Sequence, residues 1–381
     1  MNETRNTGLL PNGLHDTLPP DADFESYVID RLMAGFSAHG YDPVKPPLVE
    51  FEDGLLEGPG DAVAHRMFRL MDPLSKRMMG VRPDITPQIA RIATSRLGNT
   101  PRPLRLSYAG TVLQVEGNGL SQDREIVQAG VELIGSAALT ADAEVILVAA
   151  EALRNTGITE PTFDLGAPAL VPLVCAGLGL DDAATELARA ALDRKNTDSL
   201  TDLSDDQRKV LNALLGAAGP ADTAREKLAA LTLPPEAAAL VSALSEVIGH
   251  VRAADPALRM TVDPVEFRGL EYQTGISFTI FARGVRGELG RGGRYPLGTG
   301  ETATGVTLFV APLLRAADWP DANPCVYVPL DAGHAIGAKL RADGWRTVAA
   351  LEADQEAEAD AEARRLGCSH VLRDNKPEPL G

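Results

Sequence analysis

At 381 residues, 44% of them hydrophobic, the chain has room for two or three domains and a sizeable core. Its formal net charge of −17, with 53 acidic against 36 basic residues, argues against a chain that grips a nucleic-acid backbone and leaves small molecules or proteins as partners. Cys175, Cys325 and Cys368 are far apart and in no Cys-x-x-Cys spacing, which argues against disulfides and zinc; without a signal-peptide pattern or an apolar run of membrane length, the expectation is a cytoplasmic protein.

Phe24, Val28, Leu32 and Phe36 recur at four-residue steps, so residues 22–40 read as a helix that Asp21 or Asp23 can cap and Gly40 ends. Residues 41–50 carry Pro43, Pro46 and Pro47 and are extended, as a dimer surface or a sheet edge. Residues 66–79 read as a short hairpin turning at Asp72-Pro73-Leu74-Ser75. Thr86 is then a natural N-cap and Pro87 a natural first helical residue, followed by the stripe Ile89, Ile92, Ala93 and Leu97 and the stop Gly98. Asp84 stands just ahead of that helix start. Simple capping by Asp84 and Thr86 is the plain alternative to a binding role.

The most informative stretch is a hairpin over residues 105–135. In its second arm Val127, Ala129, Val131 and Leu133 alternate with Gln128, Gly130, Glu132 and Ile134. Tyr108, Gly110, Gln114 and Glu116 share a parity in the first arm, and Gly117, Asn118 and Gly119 supply the turn. One face is apolar. The other offers an amide, a bare backbone position and a carboxylate, suited to a small polar ligand; a solvated sheet face is the competing reading.

A helix follows over residues 141–154, a strand over 162–165 and a helix over 167–178. Residues 181–253, rich in alanine, leucine and acid, read as an all-helical insert of about four helices, with Pro220 and Pro234-Pro235 at helix starts and no cluster of catalytic residue types. Sheet resumes near Leu258. A strand alternates through Ile276, Phe278 and Ile280, turns at residues 284–287 and returns through Gly290-Arg291-Gly292-Gly293-Arg294-Tyr295. Those glycines do not open a helix, so they make a weak nucleotide loop. Residues 304–317 read as strand into helix. From Cys325 an alternating strand–helix pattern predicts a small parallel sheet, with residues 374–381 frayed. There is no internal repeat, zinc spacing or Gly-x-Ser-x-Gly elbow.

Several of these stretches, in order and spacing, resemble the catalytic domain of histidyl-tRNA synthetase, a class II aminoacyl-tRNA synthetase. They more closely resemble its non-catalytic paralogue, the regulatory subunit of ATP phosphoribosyltransferase. Gly13-Leu14-His15-Asp16-Thr17-Leu18-Pro19 and the strand at Pro47 resemble the first, dimer-forming motif. Arg82-Pro83-Asp84-Ile85-Thr86, Gln128-x-Gly130-x-Glu132, Arg268-Gly269-Leu270-Glu271-Tyr272 and Gly292-Gly293-Arg294-Tyr295 resemble the family's histidine-binding segments. The resemblance spans residues 10–318 apart from the insert.

The departures separate the two relatives. Where synthetases place a phosphate-gripping arginine, this chain has Gln114 within Leu113-Gln114-Val115-Glu116, and an amide lacks the charge and fork of a guanidinium. The second ATP-gripping arginine falls at Leu314, with Arg315 one residue out of register, and Gln273 stands where tyrosine is usual. Losing these clamps removes the stabilisation that adenylation needs. Arg268 is retained, and the C-terminal unit is too short and acidic for a full anticodon-binding domain.

The resemblance implies an α+β fold: a class II synthetase-like antiparallel sheet flanked by helices, with the insert at about 181–253, over residues 1–322. A small C-terminal α/β unit covers 323–381. It implies a histidine sensor with no catalytic residue, cofactor or metal. Asp84, Thr86 and Gln128 would accept from the ligand's ammonium. Glu132, with Tyr272 or Tyr295, would read the ring N–H. Arg268, helped by Gln114, would hold the carboxylate. The implied partners are L-histidine, a second copy in a dimer, and the short catalytic ATP phosphoribosyltransferase that this chain would activate and place under histidine feedback, with no nucleic acid or membrane. An active or degenerate histidyl-tRNA synthetase and a scaffold without ligand are the rival readings.

Overall fold

The computed structural model describes residues 8–56, 64–117, 122–197, 200–201, 203–266, 273–320, 323–352 and 356–380. The chain divides into two compact units, Met1–Asp318 and Trp319–Gly381.

The first unit is built on a nine-stranded, mainly antiparallel sheet among the described residues. Its spatial order is Asp42–Pro43, Leu104–Leu113, Glu125–Ile134, Thr302–Phe309, Gly290–Pro296, Ser277–Phe281, Thr162–Gly166, Arg259–Val262 and Gly219–Pro220. The predicted hairpin forms its second and third strands: Leu104–Leu113 pairs antiparallel with Glu125–Ile134, Tyr108 opposite Gly130 and Gly110 opposite Gln128. A separate three-stranded sheet holds Val49–Phe51 and the predicted hairpin, Phe68–Met71 with Met78–Val81.

Ala129, Val131 and Leu133 point into the main core, with Phe24, Val28, Leu32 and Phe36 from the helix Asp21–Ala38 and Val145, Val148 and Ala149 from the helix Leu139–Arg154. The first of these helices starts differently from the sequence expectation. Pro20 occupies its N-cap without a side-chain bond, and Asp21 and Asp23 lie inside the first turn, where their charge favours the helix dipole.

The opposite face is covered too. Leu104, Leu106, Tyr108, Val112 and Ile134 pack with Ile85, Ile89 and Ala93 from the helical segment Thr86–Arg91, which continues as a wider turn over Ile92–Arg96. The solvated-face reading of the hairpin is therefore wrong: Gln128 and Glu132 are 2% and 1% exposed.

Among the described residues the insert forms four helices: Asp182–Asp193, Asp205–Gly216, Ala221–Ala229 and Pro235–Ala254. Pro220 and Pro234 stand at the N-caps of the last two. The 20-residue helix Pro235–Ala254 is apolar enough to cross a membrane by composition, yet it buries Val241, Leu244, Val247, Ile248 and Val251 in the core.

In the second unit Arg346–Ala349, Cys325–Val328 and His370–Arg373 run parallel, with the helices His334–Ala342 and Glu356–Arg365. The tail is not frayed. Lys376–Pro379 pairs antiparallel with His370–Arg373, through a turn at Asp374 (φ 47°) and Asn375 (φ 62°). Asp and Asn tolerate this left-handed backbone, so a polar stretch that reads as loose forms a two-residue hairpin turn. Nor does cysteine dispersal carry into space: the sulfurs of Cys325 and Cys368 lie 3.2 Å apart.

Candidate functional site

Strand register gathers the site on the face covered by Thr86–Arg91. Directly opposed residues share a face, as do residues two apart along a strand. One row across four strands reads Tyr108, Gly130, Thr307 and Arg291. The next reads Leu106, Glu132, Gly305 and Gly293, and on the other side lie Gly110, Gln128 and Phe309.

The glycines form a floor on which larger side chains lie flat. A Cβ on Gly305 would sit 1.8 Å from Glu132 Oε2 and one on Gly130 would sit 2.5 Å from the Tyr108 hydroxyl.

Glu132 accepts from Thr86 Oγ1 at 3.0 Å and from the Tyr295 hydroxyl at 2.8 Å. Tyr108 contacts Thr86 Oγ1 at 3.3 Å and Thr307 Oγ1 at 2.8 Å, extending a chain of hydroxyls away from the carboxylate. Thr86 is therefore not the N-cap of its helix. Ile85 takes that position without a side-chain cap, and the Thr86 hydroxyl turns to the sheet. The capping function falls to Asp84, whose Oδ1 accepts from the Thr86 N–H at 3.1 Å, and to Gln128, whose Oε1 accepts from the Ile85 N–H at 3.2 Å. Gln114 donates its Nε2 to the Pro83 carbonyl at 3.1 Å.

Arg82 anchors this segment from behind. Its guanidinium donates to the carbonyls of Thr111 (2.8 Å) and Pro46 (3.0 Å) and to Gln88 Oε1 (3.3 Å). Arg124 likewise donates to the Gln114 and Asn12 carbonyls. Arg294, in the Gly-Gly-Arg-Tyr stretch, is committed to Asp142 and to the Ser136 and Ala138 carbonyls.

Burial dominates the electrostatics. It raises the Glu132 carboxyl to about 8 against the opposing pull of the Tyr295 and Thr86 hydroxyls. It also raises Asp84, opposed by the Thr86 N–H and by Arg291. A buried carboxyl group, Glu132, and a half-buried one, Asp84, among hydroxyls and glycine backbone favour a ligand that brings N–H donors and positive charge.

The structure thus brings Asp84, Thr86, Gln128, Glu132 and Tyr295 together, with Gln114 one carbonyl away through Pro83. Arg268 and Tyr272 lie outside the described residues. Tyr108, Thr307, Gly305 and Arg291 complete the face, and sequence reasoning does not assign them to the site. Thr307 is detectable as a hydroxyl at alternate spacing from Gly305, but only strand pairing sets it beside Gly130.

The chain resembles known proteins along most of its length. Residues 13–313 match the histidyl-tRNA synthetase family model. The chain is 52% identical over 364 residues to the ATP phosphoribosyltransferase regulatory subunit of Rhodospirillum centenum, covering 95% of this chain and 94% of that one. It is 50% identical over 372 residues to the same-named protein of Paramagnetospirillum magneticum, covering 98% of each. Two solved structures share the fold. One is an ATP phosphoribosyltransferase regulatory subunit/histidyl-tRNA synthetase from Bacillus halodurans (TM-score 0.83, 23% identity, 96% of this chain and 98% of that one). The other is a Nostoc histidyl-tRNA synthetase (TM-score 0.81, 19% identity, 96% and 91%). The chain belongs to the ATP phosphoribosyltransferase regulatory subunit family, on the class II histidyl-tRNA synthetase-like fold.

Proposed function

We propose that this chain is a non-catalytic subunit that activates a short catalytic ATP phosphoribosyltransferase by assembling with it and transmits feedback inhibition by L-histidine, in the first step of histidine biosynthesis. Histidine occupies the glycine-floored face. Its ring N–H is read by Glu132 with Tyr295 or Tyr272, its ammonium by Asp84, Thr86 and Gln128, and its carboxylate by Arg268 with Gln114. Self-association as a dimer and a cytoplasmic location belong to the same reading.

One observation carries the non-catalytic part. The position expected to grip an ATP phosphate is Gln114, a neutral amide engaged with the Pro83 carbonyl. The second such position, Leu314, packs against the main core, and the neighbouring Arg315 is exposed and bonds back to the Ala311 carbonyl. Arg82 and Arg124, close to Gln114, donate to backbone carbonyls. Charge-assisted bonds to a zwitterion contribute about 1.5–3 kcal/mol each, enough in combination for a micromolar site after association costs.

The test is reconstitution with the short catalytic chain. Phosphoribosyl transfer to ATP should require both chains and fall as histidine is added, with Glu132→Ala assembling normally but resisting inhibition. A catalytic chain fully active alone, or no heat of binding with millimolar histidine on the complex, rejects the reading. Unchanged inhibition in Glu132→Ala moves the histidine site elsewhere.

A further inference from the structure

The C-terminal unit holds a pair of thiols that the ligand face does not use. Cys325 opens the strand Cys325–Val328, and Cys368 precedes the neighbouring parallel strand His370–Arg373. The frame between them is fixed by backbone. The Ser369 N–H donates to the Cys325 carbonyl at 2.9 Å, and the Cys325 N–H donates to Ser369 Oγ at 3.2 Å. Within it the two sulfurs are in contact at 3.2 Å.

Their surroundings differ in a useful way. Both belong to the apolar cluster with Tyr327, Ala359, Ala363 and Val371, where Cys325 is partly exposed and Cys368 is 7% exposed. Cys325 is the more exposed residue of the two, and the Cys368 sulfur is in contact with its sulfur. Burial, reinforced by Cys325 and opposed by Arg346, pushes the Cys368 thiol up to about 12. A thiol held protonated is a poor target for bulk oxidants, yet Cys368 stands against any adduct formed on its neighbour.

We propose that Cys325 and Cys368 are a modification site, converted by a low-molecular-weight disulfide such as oxidised glutathione into a reversible intramolecular disulfide. The Cys325 thiolate attacks one sulfur of the small disulfide, forming a mixed disulfide and expelling a thiolate that takes up a proton. Cys368 then attacks the Cys325 sulfur, breaking its bond to the second small sulfur, which leaves as a thiolate and takes up the proton that Cys368 gives up. Two protein thiols are oxidised, one small disulfide is reduced to two thiols, and an excess of those thiols reverses the exchange.

The bond closes a loop containing His334–Ala342, Arg346–Ala349 and Glu356–Arg365, so it restricts the unfolded chain and stabilises this unit. Cys175, fully buried in the first unit, stays a thiol. In a reducing compartment such a bond is transient and reports redox state.

The experiment incubates the full chain with oxidised and reduced glutathione at varied ratio and counts thiols after acid quench and denaturation. The expected count falls from three to one, with a mass loss of two hydrogens, a peptide linking Cys325 to Cys368, and a raised melting midpoint. Cys325→Ser and Cys368→Ser, each checked for folding by circular dichroism, should form no such linked peptide. Retention of three thiols at the most oxidising ratio, a stable glutathione adduct on Cys325, or a bond between two chains overturns the proposal. Because the readout needs neither histidine nor the catalytic chain, it stands or falls apart from the proposed function.

Discussion

The hydroxyl of Thr86 donates to Glu132 Oε1 across 3.0 Å, joining the start of a helix to the strand Glu125–Ile134 of the sheet. Tyr295 closes the other carboxylate oxygen at 2.8 Å. The Glu132 carboxyl group is thus already satisfied by the protein's own hydroxyls. A ligand has to compete with these bonds or join them, and hydroxyl rotors can reorient at low cost.

The raised Glu132 carboxyl makes stability fall as pH rises. Its folded value of about 8 exceeds the ordinary 4.5, so the folded chain binds more protons than the unfolded one between these limits. This contribution is full below about 4.5, falls steadily as pH rises to about 8, and is flat above. Denaturant midpoints measured from pH 5 to 9 should decline more steeply for the natural chain than for Glu132→Gln. Equal slopes would show that Glu132 titrates normally.

Histidine binding is expected to release protons near pH 7. The ammonium and ring N–H donors of the zwitterion favour the ionised Glu132 and Asp84, both of which burial holds upward. Calorimetry of the complex in buffers of different ionisation enthalpy should give heats that vary with buffer in the sense of proton release. Buffer-independent heats would place the ligand away from these carboxyl groups.

Gly305→Ala should destabilise the chain by about 1–3 kcal/mol, the usual cost of overpacking, and abolish the histidine response. The new Cβ would meet Glu132 Oε2 at 1.8 Å and the Val131 carbonyl at 2.7 Å, and the latter belongs to a paired strand that cannot retreat. Urea unfolding and calorimetry check the two effects. The exposed Gly298, whose Cβ would meet nothing within 4 Å, provides the control substitution.

Arg294→Ala should cost about 3–5 kcal/mol, because it strands a carboxylate that is 2% exposed. The guanidinium reaches Asp142 at 2.7 Å and the Ser136 and Ala138 carbonyls at 2.8 Å each, tying the strand Gly290–Pro296 to the helix Leu139–Arg154. In the double variant with Asp142→Asn the loss should be smaller than the sum of the two single losses. Simple additivity in thermal unfolding would deny the coupling.

The purified chain should show no histidine-dependent exchange of pyrophosphate with ATP. In the proposed function the neutral amide of Gln114, engaged with the Pro83 carbonyl, stands where adenylation requires a cation. Exchange that survives removal of any contaminating synthetase would restore the enzyme reading.

What the sequence by itself determined was local and periodic: the helix stripe from Phe24 to Phe36, the alternation from Val127 to Ile134, the helical insert, and the motif order that identified the family. These follow from side-chain spacing against a period of 3.6 or 2, which neighbouring residues set. Only the tertiary structure decided that Thr86 turns from its helix to Glu132, that Thr307 and Arg291 share the face of Tyr108, that the Gln128 face is buried, and that two cysteines 43 residues apart touch. Each depends on pairing between segments distant in the chain. A one-residue change of register would send every side chain to the other face, and nothing local in the sequence fixes that register.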